Sequence, residues 1–111
     1  MSRVTYFVRM VAKEGMAEEV RELLLTNVTR IREGEPGNLV FAVHCSTEDP
    51  NEFWLYETWE SLEAVEAHES GEAHESGEAF EEYMRRLRPL VEGDSVVRGN
   101  TTPIEVLGYE V

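Results

Sequence analysis

Hydrophobic and polar positions alternate with a period of two in four stretches of the chain, and recur near every 3.6 residues in two others. Val4–Ala12 (VTYFVRMVA) is the first alternating run. Val4, Tyr6, Val8, Met10 and Ala12 fall on one face, and Thr5, Phe7, Arg9 and Val11 on the other. Lys13-Glu14-Gly15 breaks it. From Met16 the apolar positions become Met16, Val20, Leu23, Leu24, Val28 and Ile31, the stripe of an amphipathic helix. Glu18 and Glu19 lie near its start and Arg30 and Arg32 near its end, which complements the helix dipole. Gly34 and the turn Glu35-Pro36-Gly37 end it. Asn38–Ser46 and Glu52–Trp59 then alternate again around the turn cluster Thr47–Asn51, which predicts an antiparallel pair. Cys45, in the first of these runs, is expected to be buried.

Ser61 is the expected N-cap of a second helix, with Glu63 in its first turn. Leu62, Ala64 and Val65 begin its apolar face, and Phe80, Tyr83, Met84, Leu87 and Leu90–Val91 resume it downstream. Between them lies a tandem repeat: AHESGE occupies 67–72 and again 73–78. Glutamates at 60, 63, 66, 69, 72, 75, 78 and 81 become neighbours at i,i+3 on a helix, each like-charged pair costing about 0.2–0.5 kcal/mol. Gly71 and Gly77 each cost about 1 kcal/mol against alanine in a helix interior. Six added helical residues would also turn the downstream face by roughly 240°. The sequence therefore predicts a break within 69–78 joining two shorter helices. Residues 94–102 are mostly polar, and Arg98–Thr102 reads as loop. Pro103 leads into a predicted fourth strand, with Ile104, Val106 and Gly108 opposite Glu105, Leu107 and Tyr109.

The order β-α-β-β-α-β predicts a single α+β domain over 1–111, ferredoxin-like, with helices on one face of an antiparallel sheet. Composition narrows its partners. The chain has 111 residues and a net charge of −13, so nucleic acid and anionic membrane surfaces are repelled. No apolar run reaches the roughly 18 residues of a membrane span. One cysteine excludes an intrachain disulfide, and the short N-terminal apolar run carries Arg3 and Arg9, so the expected location is the cytoplasm.

Candidate chemistry gathers around Phe53–Phe80. Trp59 shares a strand face with Phe53, Leu55 and Glu57. If that face lies under the helices, Glu57 is a half-buried acid that needs a partner. The commoner fate of Trp59 is a core position; the functional alternative is an aromatic pocket wall, with Glu57 and His68 as proton-handling groups. His44 is a weaker pocket candidate. His68 and His74 stand six apart, which places them on different helix faces, so no metal site is expected.

Glu35-Pro36-Gly37, Asp49-Pro50, Tyr56-Glu57-Thr58-Trp59-Glu60-Ser61 and Glu66-Ala67-His68 together resemble the antibiotic biosynthesis monooxygenase family. The resemblance spans essentially the whole chain, and the Glu-x-Trp-x-Ser…Ala-His run is its most specific part. It implies a homodimeric α+β barrel in which two ferredoxin-like sheets pack face to face, often with the C-terminal strand reaching across. It also implies oxygenation of a quinol-like, phenolic or polycyclic aromatic by O₂ without metal, flavin or other cofactor. Trp59, Glu57 and His68 correspond to the family tryptophan, strand acid and helix histidine, and so become the expected catalytic set. His44, Phe53, Leu55, Phe80 and Tyr83 are the expected substrate pocket. Three departures keep alternatives open. Leu55 stands where the polyketide-tailoring members have asparagine, and Val65 where they have a pocket tyrosine. Val8 or Arg9 stands where haem-degrading relatives have asparagine. A non-catalytic or stress-related binding protein and a haem-binding homologue are the two other readings.

Overall fold

The computed structural model describes residues 3–70 and 76–108, without the side chains of 69–70 and 76–77. Among these residues four strands and three α-helices run in the order β1 (Val4–Val11), α1 (Ala17–Gly34), β2 (Asn38–Cys45), β3 (Glu52–Trp59), α2 (Leu62–Ser70), α3 (Ser76–Leu87) and β4 (Val97–Thr101). The sheet order is β2-β3-β1-β4, antiparallel throughout. This is the ferredoxin-like arrangement the sequence predicts.

One face of the sheet packs against the helices. Tyr6, Met10, Phe53, Leu55 and Trp59 from the strands are buried with Val20, Leu24 and Ile31 from α1, Val65 from α2 and Leu87 from α3. The α1 stripe passes through Asn27, which is buried, rather than through Val28, which is half-buried. Gly15 adopts φ +80°, a conformation that favours glycine, and so turns the chain from β1 into α1. Ser61 caps α2 as expected, its Oγ accepting the Ala64 N–H at 3.2 Å.

Among the described residues no helix packs on the opposite sheet face. Phe7, Trp54 and Val97 there remain 46%, 45% and 57% exposed. His44 and Cys45, at the end of β2, are exposed as well. The expected burial of Cys45 is thus corrected: it lies exposed at the strand end, its Sγ 3.7 Å from the Pro50 carbonyl oxygen.

The fourth strand is also corrected. The strand is Val97–Thr101, most of which lies in the Arg98–Thr102 stretch read as loop; Pro103–Gly108 is not a strand, and Ile104 and Leu107 are 93% and 104% exposed. β4 is an edge strand held by backbone pairing to β1 from Thr5↔Thr101 to Arg9↔Val97, with Thr101 Oγ1 donating to the Thr5 carbonyl at 2.8 Å. Backbone pairing needs no apolar alternation, which is why a polar segment serves. The repeat runs from the last residues of α2 into the first of α3; the predicted break within 69–78 falls on residues 71–75, which, His74 included, lie outside the described residues.

Candidate functional site

Between the inner sheet face and the helices lies a cavity of about 430 Å³, within the usual size range of small-molecule sites. Its floor is Tyr6, Val8 and Met10 of β1, Phe41 of β2, and Leu55, Glu57 and Trp59 of β3. Its roof is Asn27 of α1, Val65 and His68 of α2, and Phe80, Tyr83, Met84 and Leu87 of α3. Arg88, Val91, Val96 and Arg98 complete the wall from the segment that follows α3.

Strand parity explains the floor. Trp59, Glu57 and Leu55 alternate onto the inner face of β3, where Glu57 pairs with Tyr6 on one side and Phe41 on the other. Trp59 is 1% exposed, and its indole Nε1–H donates to Glu57 Oε1 at 3.2 Å. His68 comes down from α2 onto this surface. Its ring lies 4.7 Å from the Trp59 ring at 33°, and 4.7 Å from Phe80 at 64°, edge-on. Aromatic contact on two sides fixes the imidazole plane.

The partner of His68 is Glu35. His68 Nδ1 stands 2.8 and 2.9 Å from the two Glu35 carboxylate oxygens. Both residues are buried, at 7% and 4% exposure. A carboxylate can only accept, so Nδ1 carries the hydrogen and Nε2 is left as the nitrogen able to take a proton. Glu35 is further held by Arg30, whose guanidinium lies 3.7 Å from Oε2 and also donates to Asn27 Oδ1. Burial lowers the Arg30 pKa, while the charges of Glu35 and Tyr83 act to raise it. Glu35 reaches His68 because the Glu35-Pro36-Gly37 turn is pressed against α2. The Glu60 N–H donates to the Gly37 carbonyl at 2.9 Å, and a Cβ on Gly37 would stand only 2.7 Å from Ala64 Cβ.

Tyr83 adds a hydroxyl. Burial pushes its pKa well above the usual phenol range, the charge of Glu57 adds to this, and Arg30 acts in the opposite sense. Tyr83 therefore stays protonated at neutral pH and can serve as a hydrogen-bond donor, not as a base.

The structure thus brings six of the expected residues to one cavity: Glu57, Trp59, His68, Leu55, Phe80 and Tyr83. His44 is on the opposite sheet face, beside Trp54, and is not part of it. Phe53 is buried in the core cluster and does not reach the cavity wall. Glu57 is bonded to Trp59; the carboxylate on His68 is Glu35. Sequence reasoning placed Glu35 in a turn and missed it, because nothing in the local pattern marks a turn glutamate as buried. The demand of a buried histidine for a partner was the one available signal. Among the described residues no group of three or more His, Cys, Asp or Glu side chains is placed to hold a metal ion, and no helix is long and apolar enough to cross a membrane.

Solved structures with the same fold cover nearly the whole chain. A Pseudomonas aeruginosa protein superposes with a TM-score of 0.79 at 23% identity, over 95% of this chain and 97% of its own. A Caulobacter crescentus protein described as a candidate antibiotic biosynthesis monooxygenase gives 0.81 at 17% identity, over 94% and 92%. SnoaB from Streptomyces nogalater, a cofactor-independent oxygenase seen in a point-mutant form, gives 0.77 at 16% identity, over 98% and 100%. At these identities the likeness is one of fold. No curated protein matches the chain at a significant level. The sequence model for antibiotic biosynthesis monooxygenases matches residues 3–86, from the first strand through most of α3 and so across the Trp59–His68–Glu35 constellation, and the chain belongs to that family.

Proposed function

We propose that the chain is a cofactor-independent monooxygenase that oxidises a quinol-like or phenolic aromatic with O₂. The observation that carries this reading is His68, fixed between Trp59 and Phe80 on the wall of an apolar cavity with Nδ1 held by Glu35. Such a dyad is a competent base, since the Glu35 carboxylate stabilises the imidazolium that forms, and the more so once a bound aromatic excludes water. A flat aromatic substrate would lie against Trp59, Phe41 and Leu55. His68 Nε2 takes the acidic proton of an anthrone-type CH₂ or a phenol, leaving an electron-rich carbanion or phenolate. That anion gives one electron to O₂, the radical pair joins as a carbon-bound peroxide, and the O–O bond breaks as the ring carbon becomes a carbonyl. One oxygen atom enters the product and the other leaves as water, so that AH₂ + O₂ becomes A=O + H₂O. The Tyr83 hydroxyl and the returned His68 proton supply the hydrogen bonds the peroxide needs. The match of the chain to the family and its fold likeness to SnoaB support the reaction class.

Oxygen-electrode traces with a panel of anthrones, naphthoquinols and benzoquinols test this. Uptake above the spontaneous rate with at least one of them is expected. No uptake with any of them would leave a binding protein in place of an enzyme.

The proposed assembly is a homodimer formed through the uncovered sheet face. Phe7 and Trp54 stand there half exposed beside Tyr56, with the Phe7 and Tyr56 rings 5.3 Å apart. Burying such a patch is favourable, whereas an isolated carboxylate within it is costly. Sedimentation should give a dimer for the wild type and a monomer for Trp54→Glu; a monomer for both would remove the assembly.

A further inference from the structure

Asn27 stands in the apolar stripe of α1, between Leu24 and Ile31, and is 4% exposed. A buried carboxamide is costly unless its oxygen and its amino group both find partners. Half of that demand is met, since Oδ1 accepts from the Arg30 guanidinium. Arginine only donates, so this bond fixes which end of the amide is oxygen and leaves Nδ2 as the other end. Among the described residues nothing accepts from Nδ2. Yet no sealed side-chain nitrogen or oxygen among them lacks a partner. The Nδ2 amino group is therefore open to space, and the space that Asn27 lines is the cavity. His68 Nε2 is in the same position at the other end of one chain of contacts: Asn27 to Arg30, Arg30 to Glu35 at 3.7 Å, and Glu35 to His68 Nδ1 at 2.8 Å. One network thus presents two nitrogens of opposite character to one cavity. Nε2 takes a proton, and Nδ2 gives a hydrogen bond. That pairing suits a group that loses a proton and becomes anionic between them. An asparagine that only held Arg30 would need no access to the cavity.

Resting on the oxygenase reading above, we infer that Asn27 is a catalytic residue of the same site, its Nδ2 donating a hydrogen bond to the substrate oxygen that becomes anionic when His68 takes the proton. That oxygen is the phenolate of a phenol or quinol, or the enolate oxygen of an anthrone. The substrate class narrows to aromatics whose acidic proton leaves its charge on oxygen; a methyl ether of the same ring system has no such charge to offer.

The test uses 4-nitrophenol, whose phenol and phenolate forms differ in colour and which O₂ does not consume. Its ionisation is followed by absorbance as the pH is raised, free and bound to the intact protein. Bound to the wild type it should ionise at least about one pH unit lower than when bound to Asn27→Leu, a roughly tenfold preference for the anion and the scale of one charge-assisted hydrogen bond. Asn27→Asp keeps an acceptor for Arg30 but has no amide hydrogen, and should lose the preference as well. 4-Nitroanisole, which cannot ionise, should bind the wild type and both variants alike. A role confined to holding Arg30 predicts a different pattern: Asn27→Asp behaves as the wild type, and both ligands weaken together in Asn27→Leu. Circular dichroism checks that each variant is folded. That pattern, an unchanged preference in Asn27→Leu, or no binding of 4-nitrophenol to the wild type would overturn the inference. The binding assay involves no turnover, so the two readings fail separately. An anion preference that depends on Asn27, without O₂ uptake from any quinol or anthrone, removes the oxygenase and keeps the donor. O₂ uptake at equal rates in the wild type and Asn27→Leu removes the donor and keeps the oxygenase.

Discussion

Glu35→Gln should lower the rate of O₂ uptake by about 100-fold while leaving KM nearly unchanged, in line with the loss of a general-base assembly. The amide keeps the shape of the side chain and can still accept from His68 Nδ1–H. It can no longer offset the positive charge that His68 acquires, and its NH₂ can instead donate to Nδ1 and move the imidazole hydrogen to Nε2. That tautomer cannot accept a substrate proton. Glu35→Asp keeps the charge and should recover part of the rate. Because Glu35 also lies 3.7 Å from Arg30, Glu35→Gln should cost about 1–3 kcal/mol of stability, the usual penalty for an unsatisfied buried partner. Stopped-flow kinetics beside denaturant unfolding separate the two effects. A parallel rise in KM with an unchanged kcat would assign Glu35 a purely structural role.

His68→Ala should have the larger effect. Loss of the base predicts a fall in kcat of about 10²–10⁴-fold. The deletion also opens a space between Trp59 and Phe80 and leaves the 4%-exposed Glu35 carboxylate without its imidazole. Cavity formation and the loss of the imidazole that bonds the buried Glu35 together predict roughly 2–5 kcal/mol of destabilisation. Imidazole added to the solution fits the vacated space and should restore part of the rate. Rescue by imidazole but not by a similar-sized non-basic azole identifies the lost function as proton transfer. A rate equal to that of the wild type would remove His68 from the mechanism.

Much of this arrangement is legible in the chain. The alternation of Phe53, Leu55, Glu57 and Trp59 states which side of β3 faces the helices, and the structure has all four inward. The stripe of α1 and the Ser61 cap are local signals, and they hold except that Asn27 takes the buried place expected of Val28. Three features are not local, and the pattern cannot show them. β4 is chosen by backbone pairing at the sheet edge, so Val97–Thr101 wins over the more strand-like Pro103–Gly108. Glu35 is buried because Gly37 lets the turn dock on Ala64, a contact between residues 27 apart in sequence (64 − 37). His44 obeys the alternation of β2, but on the face away from the helices, so it cannot share a pocket with Trp59. Arg98 reaches the cavity wall through the same non-local pairing of β4 with β1.

Isotope labelling tests the central claim most directly. Chelator-treated protein is given its best substrate under ¹⁸O₂ in H₂¹⁶O, and the product and water are analysed by mass spectrometry. The proposed mechanism predicts one ¹⁸O atom in each product molecule and one in water, at a rate that falls at least about 100-fold in His68→Ala. A product free of ¹⁸O, or equal labelling rates for the wild type and His68→Ala, would contradict it.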